Sequence, residues 1–215
     1  MKNKVVIITG ATSGIGYACA RYFAQQGCHI VIAARNEEKL KRIGSELKSL
    51  YGNCLAVPTD VAIEAECKNL IQKTIETFGC IDILINNAGI SMRALLNDVS
   101  LSVMHQVMDI NFWGTVNCTK HALPYLLKSK GSVVGVSSIA GKKGLPARCA
   151  YSASKFAMEG FLESLRIENL KNNLHVLVVA PGYTASNIRN TALNKDGHQQ
   201  EESPLDESKL MKPEA

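Results

Sequence analysis

The sequence predicts an α/β domain with a doubly wound parallel sheet and helices on both faces, a three-layer αβα arrangement. Two observations lead to this class. Short apolar runs rich in β-branched residues alternate with longer amphipathic segments, a pattern typical of parallel strands joined by helical crossovers. A glycine-rich turn also follows the first apolar run and opens the first amphipathic segment, as in the first βα turn of nucleotide-binding α/β domains.

The strands are predicted at the short apolar runs, since a strand buried on both faces of a sheet shows no alternation of polarity. The predicted strands are Val5 to Ile8, Ile30 to Ala34, Leu55 to Val57, Ile83 to Ile85, Val133 to Val136 and Val176 to Ala180. The predicted helices are Gly14 to Gln26, Glu37 to Leu50, Glu64 to Phe78, Leu101 to Leu127 and Ala153 to Leu170. The fourth helix is expected to break near Asn111, because an amide side chain suits a helix interior poorly.

Composition and charge narrow the class of function. The chain has 215 residues, 46% apolar and 20% charged, with a net charge of +5, which suits one globular domain with an anionic ligand. Its basic residues form no stripe interleaved with aromatics, so no nucleic-acid partner is expected. The seven cysteines include no CxxC pair, which indicates reduced thiols and no metal site. No apolar run approaches the ~18 residues of a membrane span or forms a signal peptide, so we expect a cytoplasmic protein without a membrane partner.

A phosphate-binding turn is predicted at the segment TGATSGIG, residues 9–16. Its glycines allow a tight turn and a close approach of backbone to a pyrophosphate, and the following helix offers free N–H groups to the anion. The spacing is GxxxGxG rather than the commoner GxGxxG. The turn predicts a Rossmann-like dinucleotide-binding fold, and its candidate cofactor-binding residues are Gly10, Thr12, Ser13, Gly14, Ile15 and Gly16.

The end of the second strand indicates which dinucleotide is bound. In this fold a residue about twenty positions beyond the glycines meets the adenine ribose, and an acid there binds the 2′-hydroxyl of NAD. The sequence has Ala33-Ala34-Arg35-Asn36 at this place. A guanidinium at Arg35 matches a 2′-phosphate, which favours NADP(H). The alternative is that Arg35 is a solvated arginine at the start of a helix.

Four further side chains are candidates for catalysis. Tyr151 and Lys155 are four residues apart and would share one face of a helix. Ser138 ends the predicted fifth strand, and Asn111 lies inside a predicted helix. Each alone also has an ordinary structural explanation: a core tyrosine, a solvated lysine, a turn-capping serine and a helix-capping asparagine.

Together these motifs carry a family resemblance. The segment TGATSGIG, NNAG at 86–89, Asn111, Ser138, YSASK at 151–155 and Pro181-Gly182 resemble the short-chain dehydrogenase/reductase family in order and spacing, from Val5 to about Ser186. YSASKFA, and KPE near the end, are similar to its NADP-preferring branch of carbonyl reductases and hydroxysteroid dehydrogenases. The resemblance implies an oxidoreductase that transfers a hydride between a nicotinamide and a ketone, aldehyde or secondary alcohol.

The resemblance also implies roles for the catalytic set. Tyr151 would be the acid in carbonyl reduction and the base in alcohol oxidation. Lys155 would favour the tyrosinate, together with the oxidised nicotinamide ring, and would bond the nicotinamide ribose. Ser138 would hold the substrate oxygen, while Asn111 would kink its helix and anchor a water that relays protons to Lys155.

Further cofactor contacts are implied at the carboxyl ends of the strands. Asp60 and Val61 would lie against the adenine, although Asp60 could instead cap a helix. Asn87, Ala88 and Gly89 would pass beside the adenine ribose and brace the sheet. The residues expected near the nicotinamide are Pro181, Gly182, Thr184 and Ser186, the last standing where the family often has threonine.

The substrate pocket is expected from loops around the tyrosine. Its candidate residues are Ser91, Met92, Ile139, Ala140, Leu145, Pro146, Arg148 and Tyr183. Arg148 could pair with an acidic substrate, but an exposed surface arginine is the favoured interpretation, since most arginines are exposed. The pocket residues do not identify the substrate beyond a small-molecule carbonyl or alcohol.

The domain organisation follows from the same comparison with the family. Residues 1–186 are expected to form the dinucleotide-binding and catalytic domain. The polar segment 187–215 falls where the family carries its substrate lid, and its final Lys212-Pro213-Glu214 resembles a helix start, which predicts a truncated C-terminus. Family members usually form homodimers or homotetramers through the helices at about 101–127 and 152–170, so a homo-oligomer is expected.

The sequence leaves two alternatives to a carbonyl reductase open. A non-catalytic NADP(H)-binding regulator could keep the fold, although such relatives usually lack the Tyr or the Lys. An epimerase or dehydratase would use the same Tyr and Lys, but its glycine loop usually reads GxxGxxG.

Overall fold

A computed structural model of the protein describes residues 1–200 and 210–213. Its strands are β1 (Val5–Thr9), β2 (His29–Ala34), β3 (Cys54–Pro58), β4 (Ile83–Asn86), β5 (Ser132–Val136) and β6 (His175–Val179). The helices are α1 (Gly14–Gln25), α2 (Glu37–Tyr51), α3 (Glu64–Phe78), α4 (Leu101–Met108), α5 (Gly114–Ser129) and α6 (Cys149–Glu168). All the predicted strands and helices are present, with ends that differ by no more than four residues.

The six strands form one parallel sheet in the order β3-β2-β1-β4-β5-β6. The order reverses between β1 and β4, and in sheets of this kind ligands bind outside the carboxyl ends of the strands at that reversal. The predicted doubly wound, three-layer αβα arrangement is therefore confirmed. The glycine turn after β1 lies at the reversal.

Two apolar cores cover the two faces of the sheet. Alternate residues of β1 point to opposite faces: Val6 and Ile8 pack with α1 and α2, whereas Val5 and Ile7 pack with α3, α5 and α6. The helix α2, for example, packs by one buried apolar stripe of Leu40, Ile43 and Leu47. This double coverage explains why the central strands read as continuous apolar runs.

The edge strand β6 departs from the expectation that every apolar run is buried on both faces. Its residues alternate between exposed and half-buried, and the side chain of Leu177 is 56% exposed. Val176 and Val178 pack against the α3, α5 and α6 core. Among the described residues no helix covers the opposite face, so Leu177 and Val179 face outward.

The long helix predicted at 101–127 is divided into α4 and α5 by a π-helical turn at Asp109–Trp113. The turn contains Asn111, so the predicted break is confirmed at this residue. A π turn admits one extra residue into the helix and re-aims the side chains within it. Within the described residues no helix is both long and apolar enough to cross a membrane.

Residues 187–200 pack against the loop that follows β4. Met92 and Leu193 form a parallel bridge, with the backbone N–H of Arg93 donating to Leu193 O at 2.8 Å. Both Met92 and Leu193 are buried in a third apolar cluster, which also contains Tyr151. The second half of the predicted lid, residues 201–209, lies outside the described residues, as do Glu214 and Ala215 of the predicted helix start.

Candidate active site

Tyr151 and Lys155 lie on the first turns of α6, which begins at Cys149 rather than at the predicted Ala153. Both side chains are buried, with 9% of Tyr151 and 3% of Lys155 exposed. The Lys155 ammonium is 5.9 Å from the centre of the Tyr151 ring. It donates a hydrogen bond to Val136 O at the end of β5, at 2.8 Å. The helix and the strand end thus hold the predicted pair on one side of the sheet.

The protonation state of Tyr151 follows from its burial. Loss of solvent raises the pKa of its hydroxyl, because the charged tyrosinate is disfavoured in a dry environment. The neighbouring Ser138 hydroxyl and the positive charge of Arg148 act on this pKa in the opposite direction but are smaller. Tyr151 is therefore a neutral hydroxyl at neutral pH here. Lys155 donates to Val136 O, and its expected role in favouring the tyrosinate stays a prediction.

Lys155 itself is a buried cation with a strongly lowered pKa. Burial lowers the pKa of Lys155 from 10.5 to about 8, and the nearby carboxylate of Glu159 partly opposes this shift. Glu159 is one helical turn further along α6, with a side chain only 13% exposed. It accepts a hydrogen bond from Ser137 Oγ at 2.6 Å and pairs with Lys142 Nζ at 2.5 Å. Glu159 is therefore a fixed carboxylate that favours the charged form of Lys155.

Ser138 lies at the start of a short 3₁₀ turn, Ile139–Gly141, directly after β5. Its Oγ accepts a hydrogen bond from the backbone N–H of Ala140 at 3.2 Å. The turn-capping explanation and the catalytic one are thus compatible, because the same hydroxyl also acts on Tyr151. A donor that lies beside the acid is placed to bind an oxygen that receives the acid's proton.

Asn111 is fully buried in the π-helical turn and connects three parts of the site. Its Oδ1 accepts from Ile90 N at 2.8 Å, and its Nδ2 donates to Ile90 O at 3.0 Å and to Ser154 Oγ at 2.9 Å. Both amide protons are therefore used within the chain. The predicted relay water at Asn111 stays a prediction, and the observed bonds hold the loop after β4 against α6.

The glycine turn after β1 is closely packed against the loop after β4. Gly10 has a φ of +64°, and a methyl group there would lie 2.9 Å from Ala88 Cα. A methyl group on Gly16 would lie 2.5 Å from Gly10 O. Asn87 Nδ2 donates to Thr9 O at 2.9 Å and to Gly10 O at 3.2 Å, so the loop after β4 is bonded to the end of β1.

The start of α1 can accept an anion. Ser13 precedes α1 but makes no capping hydrogen bond with its side chain, which leaves the first N–H groups of the helix available to a ligand. Thr12, Ser13 and Ile15 are all partly exposed. A methyl group on Gly14 would lie 2.9 Å from Ser186 Cβ, so the segment after β6 passes directly over this turn. These features fit the pyrophosphate of a dinucleotide.

Arg35 and Asp60 stand next to each other at the ends of β2 and β3. Arg35 is exposed over 58% of its side chain and lies 3.9 Å from the carboxylate of Asp60. Asp60 Oδ1 accepts from Ala62 N at 3.0 Å, but the residue that caps α3 is Ile63. Asp60 therefore caps a turn rather than the helix, and Val61 beside it is buried in the core against Gly114.

The residues after β6 follow the carboxyl end of that strand, as Arg35 and Asp60 follow those of β2 and β3. Thr184 is buried, with its Oγ1 donating to Gly182 O at 3.3 Å. The backbone of residues 183–185 pairs with Met211, whose N–H donates to Tyr183 O at 2.9 Å. Pro181 and Ser186 are partly buried.

The predicted pocket residues divide into two groups. Ser91, Met92 and Ala140 are buried and serve packing, whereas Ile139 and Tyr183 are 45% and 60% exposed. Leu145 is half-buried and Pro146 is exposed. Arg148 is half-buried instead of exposed at the surface, because its Nη1 donates to Ser91 Oγ at 2.5 Å. The favoured interpretation of Arg148 as a surface arginine was therefore wrong.

Sequence reasoning missed several groups that shape the site. Ser154 Oγ accepts a hydrogen bond from Asn111. Val136 O accepts a hydrogen bond from Lys155, and the carboxylate of Glu159 raises the pKa of that lysine. Glu159 could have been found from its spacing of four residues from Lys155. Arg189, which is buried close to the site, carried no signal in the sequence.

The fold is that of a Rossmann-like α/β domain with a glycine turn at the reversal of its strand order, and comparison with known proteins places the chain in a family. Residues 4–197 match the family model described as short chain dehydrogenase. The chain belongs to the short-chain dehydrogenase/reductase family, which confirms the resemblance noted from the sequence.

Its curated relatives are longer than this chain. The mouse Dehydrogenase/reductase SDR family member 7B is 40% identical over 202 residues, which is 92% of this chain and 62% of the relative. The mosquito Anopheles gambiae has a Dehydrogenase/reductase SDR family protein 7-like that is 38% identical over 203 residues, 92% of this chain and 64% of the relative. The Arabidopsis thaliana 11-beta-hydroxysteroid dehydrogenase-like 3 is 40% identical over 188 residues, 86% and 60% of the two chains. The chain thus spans less than two thirds of these relatives.

Solved structures share the fold. An alcohol dehydrogenase from the archaeon Thermococcus sibiricus, complexed with 5-hydroxy-NADP, superposes with a TM-score of 0.88 at 25% identity, covering 99% of this chain and 86% of the other. A short chain dehydrogenase/reductase from Burkholderia phymatum, in complex with NAD, has a TM-score of 0.85 at 29% identity, covering 87% and 68% of the two chains. Both forms of the nicotinamide cofactor therefore occur among the structural neighbours.

Proposed function

We propose that this chain is an NADP(H)-dependent carbonyl reductase or alcohol dehydrogenase in which Tyr151 is the acid and base. The observation that carries the proposal is the neutral, buried Tyr151 hydroxyl beside Ser138, with the Lys155 ammonium held at the end of β5. A protonated acid next to a hydrogen-bond donor is what a carbonyl oxygen needs when it gains negative charge.

The residues of the chain supply the proton chemistry. In reduction, the Tyr151 hydroxyl gives its proton to the carbonyl oxygen, and in oxidation the tyrosinate takes the proton of the alcohol. Ser138 Oγ holds that oxygen while its charge changes. Lys155 keeps its charge below a pKa of about 8, and a cation close to Tyr151 lowers the energy of the tyrosinate left after proton transfer. Arg148 acts on the tyrosinate in the same direction.

The cofactor would be held along the carboxyl edge of the sheet. The start of α1 with Gly10, Gly14 and Gly16 would bind the pyrophosphate. Bound NADPH supplies the hydride that the carbonyl carbon receives. The other proposed contacts of the cofactor are those of Thr12, Ser13, Ile15, Asp60, Val61, Asn87, Ala88, Gly89, Tyr151, Lys155, Pro181, Gly182, Thr184 and Ser186.

A preference for NADP(H) over NAD(H) is proposed from Arg35. Its guanidinium is more than half exposed and only loosely paired with Asp60, at 3.9 Å, so it remains free to bind a phosphate. The structural neighbour complexed with 5-hydroxy-NADP supports a phosphate-bearing cofactor for this fold, while the neighbour with NAD makes the preference a question for experiment.

The cofactor proposal is tested by binding. Trp113 is the sole tryptophan of the sequence and reports binding by energy transfer to the reduced nicotinamide. We expect NADPH to bind at least tenfold more tightly than NADH, and Arg35→Ala to remove this difference, since charge-assisted hydrogen bonds contribute about 1.5–3 kcal/mol. Arg166→Ala is the control, because Arg166 is an exposed arginine paired only weakly with Glu163, at 3.6 Å. Equal binding of the two cofactors by the wild type would refute the NADP(H) preference.

The catalytic proposal is tested by turnover. With NADPH bound, the wild type should reduce members of a ketone and aldehyde panel. Tyr151→Phe should lose turnover but still bind NADPH through the other proposed contacts of the cofactor. If the wild type binds NADPH and reduces no carbonyl at all, the alternative of a non-catalytic NADP(H)-binding regulator replaces the proposed activity.

A further inference from the structure

Three arginines from separate segments lie near one another around the start of α6. Arg93 lies in the loop after β4, Arg148 directly precedes α6, and Arg189 lies in the segment after β6. Their backbones are tied together: Arg93 N donates to Leu193 O at 2.8 Å, and Ala94 N donates to Ala147 O at 3.1 Å. The arginines are thus fixed around one region instead of extending into solvent.

The side chains repel one another. The pKa of the Arg148 guanidinium is lowered, first by burial and then by the positive charges of Arg93 and Arg189. Among the described residues, the ion pairs involve none of the three arginines. This concentration of positive charge has no carboxylate partner in the described part of the chain.

Several of the guanidinium nitrogens also lack hydrogen-bond partners. Arg189 is only 7% exposed, and its Nη1 donates to Thr184 O at 3.2 Å. Its Nε and Nη2 are buried without a partner, as is Nη2 of Arg93. Buried charged groups are nearly always paired, because an unpaired one loses its hydration without compensation. An anion that accepts hydrogen bonds from these nitrogens would therefore offset this cost.

The geometry of the unpaired guanidinium nitrogens indicates the class of anion that fits them. Nε and Nη2 of an arginine lie on one edge of the planar guanidinium, which binds two oxygens of a carboxylate or phosphate side by side. Both of these nitrogens are unpaired in Arg189. Arg148 is three residues before Tyr151 in the chain, about one helical turn away from the proposed acid.

We propose that Arg93, Arg148 and Arg189 bind an anionic group, a carboxylate or a phosphate monoester, on the carbonyl substrate. This inference rests on the proposed function, since the anion is assigned to the substrate of the Tyr151 reaction. It makes the preferred substrate a ketone or aldehyde that also carries a negative charge. Arg189 supplies the two-nitrogen contact, and Arg93 and Arg148 add positive charge.

The first test compares ketones in matched pairs. One member carries a carboxylate or a phosphate monoester, and the other has the neutral methyl ester or free alcohol in its place. With NADPH, we expect the wild type to show at least a tenfold higher kcat/KM for a charged member than for its neutral partner. Comparison of the carboxylate pairs with the phosphate pairs then identifies which anion fits.

The variants assign this preference to the arginines. Arg189→Gln should lower kcat/KM for the charged ketone by about 10- to 100-fold, because charge-assisted hydrogen bonds are lost. The same substitution should lower kcat/KM for the neutral ketone by less than threefold. Arg93→Gln should show a smaller difference of the same kind, and Arg166→Gln is the exposed control. Equal kcat/KM for charged and neutral members, or an equal loss for both in Arg189→Gln, would overturn the inference.

A second measurement separates failure of the inference from failure of the proposed function. Inorganic sulfate and inorganic phosphate should raise the Tm of the wild type more than that of Arg189→Gln, without any cofactor or substrate. If this protection is present while no ketone is reduced, the anion site stands and the proposed reaction fails. If ketones are reduced but the anions protect both proteins equally, the reaction stands and the anion site is refuted.

Discussion

Replacing Lys155 by methionine should change the pH dependence of stability in a way that its burial dictates. The pKa of Lys155 is about 8 in the folded protein, compared with 10.5 when it is solvated. Below pH 8 both states are protonated, and the folded state bears the full cost of burying the charge. Between pH 8 and 10.5 the unfolded state binds more protons than the folded one, so this cost is relieved and stability rises with pH.

The size of the effect follows from the two pKa values. One pKa unit corresponds to about 1.4 kcal/mol, so the complete burial cost is roughly 3 kcal/mol. Integrating proton binding between pH 7 and 10 gives about 2.5 kcal/mol of stability that the wild type gains and Lys155→Met does not. The hydrogen bond to Val136 O is also lost in the variant, which adds a pH-independent penalty of about 1–3 kcal/mol.

The assay is urea unfolding of both proteins from pH 7 to 10 under reducing conditions, with the difference in free energy of unfolding plotted against pH. Buried thiols with raised pKa values, such as those of Cys19 and Cys54, lower stability at high pH in both proteins and cancel in this difference. Lys120→Met, at an exposed position on α5, should give a flat difference. A difference for Lys155→Met that changes by less than about 0.5 kcal/mol over this range would refute the lowered pKa.

Other substitutions test the neighbours of this lysine and the packing of α6. Glu159→Gln should lower the pKa of Lys155 further, because it removes the carboxylate that raises this pKa. The alkaline limb of the pH profile for carbonyl reduction should therefore move to lower pH. An unchanged pH profile would contradict this role of Glu159. Gly135→Ala should destabilise the fold by about 1–3 kcal/mol in urea unfolding, since its methyl group would overlap Leu162 Cδ1. Gly160→Ala, with open space around the added methyl group, should instead stabilise α6 by about 0.5–1 kcal/mol, and equal effects of the two alanines would show that this packing argument is wrong.

The strands and helices could be predicted because each leaves a local pattern in the sequence. The run Val5 to Ile8 is apolar at every position, and in the structure it is buried on both faces. The same reasoning failed for β6, because a run such as HVLVV is equally apolar whether or not a helix covers its second face. Coverage depends on segments distant in the chain, which local periodicity does not register.

The site could be predicted where its residues belong to compact motifs. Tyr151 and Lys155 are one turn apart on α6, so their shared face follows from helix geometry. The burial of Arg148 and Arg189 follows from loops that meet only after folding, with Ser91 and Thr184 as their partners. Residue type gave the wrong expectation for Arg148, because most arginines are exposed and the sequence carried nothing to mark this exception.

The two proposed anion sites use separate partners within the chain. Arg35 lies 3.9 Å from Asp60, whereas Arg189 is buried and donates to Thr184 O at 3.2 Å. Because the two arginines share none of these partners, their substitutions are expected to add independently. Arg35→Ala combined with Arg189→Gln should therefore lose cofactor preference and preference for charged ketones to the same extents as the single variants. Coupling larger than about 0.5 kcal/mol between the two substitutions would mean that one anion contacts both arginines.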